Sequence, residues 1–263
     1  MEYFFRNTSM LLTGLLLLTL ASCDVSDSDK GNGTLNVKMH DRPVLYDSVN
    51  VEIQQVQVNV GDGWKPVMDT TLRVNLLDLV NGTFAELGAV ELEAGEYEQI
   101  RLILGGNNSV TVDGQSYSLK VPSAQQSGLK LNVDFTIESG TTTELLLDFD
   151  AQQSVHKRGA NQTYIMRPVI HANVRTLTGD IEGSVSPASS RPWILAMSGT
   201  DTVSTTLADS ASGDFELVGL KTGTYDVVFQ PTDTTYADTT VADVQVSARE
   251  TQDMGTINIP SKN

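Results

Sequence analysis

Alternating apolar and polar residues predict β-strands along most of the chain. In LKLNVDFTI, residues 129–137, every second side chain is apolar, which is the pattern of a strand that buries one face. The alternation continues in TTTELLLDFD, residues 141–150, after the break at Ser139-Gly140. We expect these two strands to be antiparallel neighbours.

The segment SVNVEIQQVQVNV, residues 48–60, changes its apolar face midway. Its apolar residues have odd numbers before Gln54-Gln55 and even numbers after this pair. A β-bulge, which inserts one residue, would return the apolar side chains to one face; alternatively, the strand passes from one sheet to the other there. Further along, Asp113-Gly114 lies between two β-rich runs and predicts a two-residue hairpin.

The distribution of these segments predicts an all-β fold. No apolar stretch keeps the 3.6-residue period of a helix over three turns, so any helix should be short. Short β-rich runs separated by Gly, Pro, Asp and Ser follow residue 177, at a spacing typical of a small sandwich. We therefore predict two consecutive antiparallel β-sandwich domains, residues 33–176 and 177–263, after a signal peptide and a flexible tether.

One turn motif occurs twice. Gly95 and Tyr97 follow one apolar run, and Gly223 and Tyr225 follow another. If the two turns are equivalent, each glycine should have a positive φ, and each tyrosine should bury its ring while its hydroxyl finds a backbone partner. The repetition indicates either kinship of the two domains or the reuse of a common turn.

The N-terminal residues 1–22 have the layout of a secretory signal peptide. Arg6 lies in a polar start, and an apolar run follows from Met10 to Leu20. Eleven helical residues extend about 17 Å, roughly half of the hydrocarbon core of a bilayer. The run is therefore short for a transmembrane helix and suits the apolar region of a signal.

The end of this run resembles the lipobox of bacterial lipoproteins. Leu20-Ala21-Ser22 precedes Cys23, the only cysteine of the chain. The resemblance implies cleavage before Cys23 and attachment of a lipid that anchors the protein to a membrane; a chance free cysteine is the alternative. The polar segment 23–32 predicts a flexible tether. We expect a bacterial envelope protein, anchored in the outer membrane and exposed at the surface, although Asp24 would resemble an inner-membrane retention signal in enteric bacteria.

Net charge restricts the choice of partner. The chain carries 33 acidic against 17 basic residues, a formal charge of −16, and removal of residues 1–22 leaves this charge unchanged because it takes one residue of each sign. Nucleic acid is excluded as a partner, because phosphates attract Lys and Arg. With its single cysteine at the proposed anchor, the exported chain cannot form an internal disulfide.

The candidate catalytic residues form no recognisable motif. His40, His156 and His171 lack metal-ligand spacing, and neither a Gly-x-Ser-x-Gly elbow nor a phosphate-binding loop occurs. Asp148 and Asp150 flank Phe149 and could hold a cation or act as a carboxylate pair, but strand alternation predicts that they lie on a solvated face. We therefore predict no catalytic residue, no metal and no cofactor.

Two features suit ligand contact. The segment PSAQQSGLKL presents Gln125, Gln126 and Ser127 in a polar loop, whose groups suit sugar hydroxyls or a partner's backbone or cap the loop's own backbone. Trp64 and Trp193 could be platforms for sugar stacking, or they could be core or edge residues of the sandwiches.

Both predicted domains resemble known families. Residues 33–175 resemble the domain of unknown function 4382, through VNVEIQQVQV, LEAGEYEQIRLIL, VPSAQQSGLKL and LLLDFDAQQSV. That family is typical of bacterial lipoproteins and has no established activity. Residues 179–260 are similar to carboxypeptidase regulatory-like domains of transthyretin-type fold, through GDIEGSV and SGDFELVGLKTGTYDVVFQ. Such domains are often described as carbohydrate-binding-like, which refers to their shape.

These resemblances imply a lipid-anchored, non-enzymatic envelope protein with a binding or scaffolding role. Its partners would be the membrane, through Cys23, and a glycan or another envelope protein. One alternative is a carbohydrate-binding surface lipoprotein that works with a polysaccharide-uptake system. Another is an uncatalogued hydrolase, which would need a pocket with a histidine or carboxylate of perturbed pKa.

Overall fold

The computed structural model describes residues 31–122, 127–159 and 163–262. The predicted signal peptide, Cys23 and the predicted tether up to residue 30 lie outside these ranges, as do Gln125 and Gln126. The described part of the chain is 66% β-strand and 6% helix, an all-β structure as the alternating pattern predicts. Its helices are single turns at Leu76–Asp78, Ala151–Ser154, Arg175–Leu177 and Ala188–Ser190, and none has the length and apolar character to cross a bilayer.

Thirteen strands form an N-terminal sandwich. Within the described residues, one sheet has four strands in the order β13-β10-β1-β5, and the other has nine, in the order β11-β12-β8-β7-β2-β6-β9, with β3 and β4 also paired to β2. The strands are β1 (Asn32–Asp41), β2 (Ser48–Asn59), β3 (Trp64–Met68), β4 (Leu72–Asn75), β5 (Ala85–Glu93), β6 (Gly95–Leu104), β7 (Ser109–Val112), β8 (Gln115–Lys120), β9 (Leu129–Ile137), β10 (Thr142–Phe149), β11 (Val155–Arg158), β12 (Thr163–Met166) and β13 (Ile170–Val174).

Seven further strands form a C-terminal sandwich. Its sheets have the orders β17-β14-β20 and β16-β15-β18-β19 in the described residues. Antiparallel pairs dominate both sandwiches, but β1 and β10, β8 and β12, and β14 and β20 pair in parallel. The strands are β14 (Thr178–Ser186), β15 (Pro192–Ser198), β16 (Asp201–Leu207), β17 (Asp214–Lys221), β18 (Gly223–Pro231), β19 (Thr239–Val246) and β20 (Thr251–Asn258).

Each sandwich has its own hydrophobic core. The first core gathers buried side chains between residues 35 and 174, from both N-terminal sheets. The second gathers side chains between residues 181 and 259, with the rings of Phe215 and Phe229 in edge contact at 5.5 Å. Burial of these apolar faces is the main force that holds each pair of sheets together.

The local predictions for β2 and the hairpin are confirmed. The register of β2 against β6 shifts between Ile53 and Gln55, and Val51, Ile53, Val56 and Val58 are all buried. The extra residue thus returns the apolar side chains to the core, as a bulge does. β7 and β8 form the expected hairpin, with positive φ at the Asp113-Gly114 turn.

The prediction that residues 129–137 and 141–150 are paired neighbours is wrong. β9 pairs with β6 in the nine-stranded sheet, whereas β10 lies between β1 and β13 in the four-stranded sheet. The two strands bury their apolar faces in the same core from opposite layers. Period-two alternation shows which face of a strand is buried but does not show to which sheet the strand belongs.

The prediction of positive φ at Gly95 and Gly223 is also wrong, because neither glycine is left-handed. Both lie at corners where one residue separates strands of different sheets, β5 from β6 and β17 from β18. At each corner the tyrosine hydroxyl donates to the backbone carbonyl four residues earlier: Tyr97 to Glu93 at 2.9 Å and Tyr225 to Lys221 at 2.7 Å. The repeated motif is therefore a corner closed by a tyrosine, and the argument from glycine for kinship of the domains fails.

Candidate functional site

The sequence-predicted ligand residues do not converge on one site. Trp64 lies in β3 of the N-terminal sandwich and Trp193 in β15 of the C-terminal sandwich, and both are half-buried. Ser127 is exposed at the start of the segment that leads into β9. Gln125, Gln126 and Cys23 lie outside the described residues. Each tryptophan must therefore be considered with its own surroundings.

Trp64 belongs to a polar face on the outside of the nine-stranded sheet. We call Trp64, Gln57, Arg101 and Lys130 the indole face. Gln57 lies between Pro66 of β3 and Arg101 of β6, and Arg101 lies opposite Lys130 of β9. In-register partners on neighbouring strands point to the same side of a sheet. The register therefore brings these side chains together above β2.

Cations cover the indole ring. The guanidinium carbon of Arg101 lies 4.2 Å from the ring centroid of Trp64, and Lys130 Nζ lies 5.8 Å from it. Both distances fall within the range of cation–π attraction. Gln57 Oε1 accepts hydrogen bonds from Nε of Arg101 at 2.9 Å and from Nη2. The guanidinium is thus held on two sides, by the ring and by the amide.

A second, buried group of charges lies on the outer face of the four-stranded sheet. We call His40, Arg42, Asp148 and Asp150 the junction cluster. Arg42 donates to Asp148 Oδ2 through Nε at 3.0 Å and through Nη2 at 2.6 Å, and its Nη2 also donates to the carbonyl of Val203 in β16, at 3.0 Å. One guanidinium therefore joins the N-terminal sandwich to the C-terminal sandwich.

The junction cluster corrects the prediction that Asp148 and Asp150 lie on a solvated face. Only 6% of Asp148 and 3% of Asp150 is exposed. The C-terminal sandwich covers this face of β10: Leu146 is fully buried, and a β-carbon placed on Gly219 of β17 would lie 3.2 Å from Leu146 Cδ2. The alternation of β10 is as predicted, but its outer face is an interface.

The two carboxylates of the cluster have different partners. Asp150 accepts from the backbone N–H of Gln153 at 2.8 Å and caps the helix Ala151–Ser154, as aspartate does at helix N-termini. Asp148 Oδ1 is buried without a hydrogen-bond partner and lies 3.7 Å from His40 Nε2. Asp148 therefore depends on Arg42 for compensation of its charge.

Burial shifts the pKa values of His40, in the junction cluster, and of its neighbour Asp41. Burial lowers the pKa of His40, although the carboxylate of Asp148 opposes that effect. Burial raises the pKa of Asp41 well above its ordinary value, against hydrogen bonds from the backbone N–H groups of Ala151 and Arg42. The junction thus favours the neutral forms of His40 and Asp41.

Two further contacts cross from one sandwich to the other. Asn81, in the loop before β5, donates through Nδ2 to the carbonyl of Leu207 at 2.9 Å, and its Oδ1 accepts from Thr206 Oγ1 at 2.5 Å. Arg175 forms a two-pronged ion pair with Asp180, in which Nη1 donates to Oδ1 at 2.5 Å and Nη2 donates to Oδ2. The hydrogen bonds that Arg175 donates to Asp180 raise the pKa of Arg175.

Sequence analysis missed the role of Asn81. Asn81 and Gly82 both have positive φ, 50° and 72°, and the Asn-Gly dipeptide is itself a turn signal. That signal would have located the turn. It would not have shown that the asparagine side chain contacts another sandwich, because long-range contacts leave no local pattern.

The three histidines do not meet. His40 and His171 both lie opposite Asp148, on the two strands that flank β10, whereas His156 lies in β11 of the other sheet. His40 is buried and the other two are exposed. Among the described residues, no group of three or more His, Cys, Asp or Glu side chains has the geometry of a metal site.

Family comparison identifies the N-terminal sandwich. The family described as "Domain of unknown function (DUF4382)" matches residues 32–168. The chain belongs to this family. The match begins with β1 and ends between β12 and β13, so it includes strands of both N-terminal sheets. The resemblance noted from the sequence segments is confirmed, and the family's description names no activity.

Solved structures give only weak likenesses. A type II cohesin–X-dockerin complex from Acetivibrio cellulolyticus matches with 20% identity and a TM-score of 0.25, over 32% of this chain and 58% of that one. The Bacillus anthracis TIE protein matches with 12% identity and a TM-score of 0.22, over 88% and 34%. The minor pilin GBS52 of Streptococcus agalactiae matches with 10% identity and a TM-score of 0.24, over 87% and 96%.

The match spans less than two thirds of the first two of these chains. TM-scores of this size support no inference about function. No curated protein matches the chain.

Proposed function

We propose that this protein is a lipid-anchored, non-enzymatic component of the bacterial cell envelope, in which two β-sandwich domains form a binding or scaffolding unit. The lipid would be attached to Cys23 after removal of residues 1–22, and residues 23–32 would be the tether. The anchor would lie in the outer membrane, with the sandwiches exposed at the surface. The C-terminal sandwich would be the carboxypeptidase regulatory-like domain.

The observation that carries the scaffolding role is the junction cluster. Arg42 holds Asp148 of one sandwich and the carbonyl of Val203 of the other. Removal of one partner of a buried ion pair strongly destabilises a protein, because the other charge stays buried without compensation. The buried ion pair of Arg42 with Asp148 therefore supports a structural role, the fixing of one sandwich against the other.

Asn81 and the ion pair of Arg175 with Asp180 add two links to this junction. Asn81 reaches the ends of β16 and β17, because its Oδ1 also accepts from the backbone N–H of Glu216 at 3.3 Å. Arg175 lies three residues before the start of β14, so its ion pair with Asp180 restrains the connection between the sandwiches. Three separate contacts suit a unit that presents its surfaces in a constant arrangement.

Small-angle X-ray scattering of the purified full chain tests the scaffolding role. We expect the double variant Arg42→Ala/Asn81→Ala to show a larger radius of gyration and a broader distance distribution than the wild type, because two of the three links are lost. Asn132→Ala is the matched control, since the side chain of Asn132 accepts a hydrogen bond from Gln99 within the N-terminal sandwich. Identical scattering from the double variant, the control and the wild type would contradict the role of the junction.

Carbohydrate binding beside a polysaccharide-uptake system is a second candidate function. The observation that favours it is the indole face, where an aromatic ring and amide side chains lie together on a sheet surface. A glycan array with the wild type, Trp64→Ala and Trp193→Ala tests it. We expect Trp64→Ala to lose signal and Trp193→Ala to keep it, because Trp193 lies in the other sandwich.

A further inference from the structure

We infer that the indole face binds an acidic polysaccharide, through a carboxylate of the sugar that contacts Arg101 and Lys130. This inference rests on the second proposed function, carbohydrate binding, and names its ligand class. It follows from the charge of the face, the preorganisation of Arg101 and the kind of polar groups that surround the two cations.

The charge of the indole face contrasts with that of the whole protein. The chain has a formal charge of −16, yet two cations, Arg101 and Lys130, lie over the indole of Trp64. The exposed Glu98 of β6 directly precedes Gln99 and lines a cavity with Gln99 and Asn132. Acidic residues of β9 begin only at Asp134, two positions beyond Asn132. The outward positions of the patch are Gln55, Gln57, Gln99, Arg101, Ile103, Lys130 and Asn132.

The two cations lie directly opposite each other. Arg101 and Lys130 are cross-strand partners, and like charges in this arrangement destabilise a sheet. In the described part of the chain neither side chain forms a salt bridge. The indole of Trp64 offsets only part of the repulsion. A carboxylate bound between the cations would neutralise it.

Arg101 is held in place before any ligand arrives. Its guanidinium stacks on Trp64, and two of its N–H groups donate to Gln57. Gln57 is itself restrained, since its Nε2 donates to Gln55 Oε1 at 3.0 Å. An arginine has five N–H donors, so three remain for a ligand. A preorganised side chain loses little conformational entropy on binding.

The surrounding amides suit sugar hydroxyl groups. Gln55, Gln57, Gln99 and Asn132 each carry a donor and an acceptor, and Gln99 donates to Asn132 at 2.7 Å in the next row. Arginine pairs with a planar carboxylate through parallel hydrogen bonds. A uronic-acid polymer satisfies the cations and the amides together.

Isothermal titration calorimetry with the purified full chain and an oligomer of galacturonic acid tests the inference. We expect Arg101→Ala/Lys130→Ala to weaken binding about tenfold or more, because charge-assisted hydrogen bonds are lost. Lys130→Gln should weaken binding roughly threefold, as expected for one exposed charge. Lys130 is exposed, and its side chain donates no hydrogen bond to another residue of the described ranges, so this variant should keep the wild-type melting temperature.

Two controls separate the site from general charge effects. Lys157→Ala/Arg158→Ala removes two exposed cations from β11, at the far edge of the same sheet, and should change affinity less than twofold. The methyl-esterified oligomer should bind about tenfold more weakly than the acid. Equal weakening by both double variants would overturn the inference. Equal affinity for the acid and the ester would also overturn the inference, while carbohydrate binding would still stand. Failure of the wild type to bind either oligomer or any arrayed glycan would overturn both the inference and the proposed carbohydrate binding.

Discussion

Replacement of Arg42 by alanine should destabilise the N-terminal sandwich more than any surface change. The variant leaves Asp148 buried, with only 6% of the residue exposed and with no cation at hydrogen-bond distance. Breaking a buried pair in this way costs about 3–5 kcal/mol. The carbonyl of Val203 also loses a hydrogen bond, which adds about 1 kcal/mol. The sum is a large part of the roughly 5–15 kcal/mol that stabilises a domain.

The two tryptophans allow each sandwich to be followed separately. Urea unfolding of the Trp193→Phe background reports Trp64 and hence the N-terminal sandwich, and the Trp64→Phe background reports the C-terminal sandwich. With a urea dependence of about 1–3 kcal/mol per molar, we expect Arg42→Ala to lower the Trp64 midpoint by more than about 1 M. The Trp193 midpoint should move less, because only the bond to Val203 is lost on that side.

Two further variants test whether the uncompensated charge of Asp148 causes the loss of stability in Arg42→Ala. Adding Asp148→Asn to Arg42→Ala should recover at least half of the lost stability, because an amide costs less to bury than an unpaired carboxylate. Arg158→Ala, an exposed cation on β11, should change neither midpoint. A loss below about 1 kcal/mol for Arg42→Ala, or no recovery by Asp148→Asn, would refute the assignment of the junction as a buried ion pair.

Three other predictions concern the hydrogen bond of Tyr225, the pKa of Asp41 and the independent folding of residues 177–263. Tyr225→Phe removes the hydrogen bond to the carbonyl of Lys221 and should cost about 1 kcal/mol in chemical denaturation; an unchanged midpoint would contradict the tyrosine-closed corner. Asp41 has a raised pKa in the fold, so the wild type should lose stability as the pH rises from about 4 through that pKa. In Asp41→Asn this loss should be absent. The same dependence of the melting temperature on pH in both proteins would contradict the role of Asp41. Residues 177–263 should unfold in one cooperative thermal transition, because their core gathers residues 181–259 only; a fragment without a transition would mean that the sandwiches do not fold independently.

Local patterns in the sequence predicted local structure well. The parity change at Gln54-Gln55 located the bulge of β2, and Asp113-Gly114 located the hairpin. Both depend on residues that are close in the chain, where the two-residue period and turn chemistry act directly. The same pattern identified the inward faces of β9 and β10.

What could not be predicted depends on contacts between distant segments. Asp148 alternates with buried neighbours, as a solvated residue would, and only the C-terminal sandwich makes it an interface residue. Likewise, the sequence shows Trp64 as an aromatic residue, but its stacking with Arg101 requires the register of three strands. A periodic pattern in one strand carries no information about the strand that will lie beside it.

Mass spectrometry of the N-terminal peptide tests the central claim, a lipid-anchored envelope scaffold, most directly. The full chain should be expressed in a bacterial host and extracted from membranes with detergent. We predict that the mature protein begins at Cys23 and carries a diacylglycerol mass on this residue, because its thiolate is the lipid acceptor. Cys23→Ser should lack the lipid and leave the detergent phase. An unmodified Cys23 in the wild type, or a variant that still carries lipid, would contradict the account.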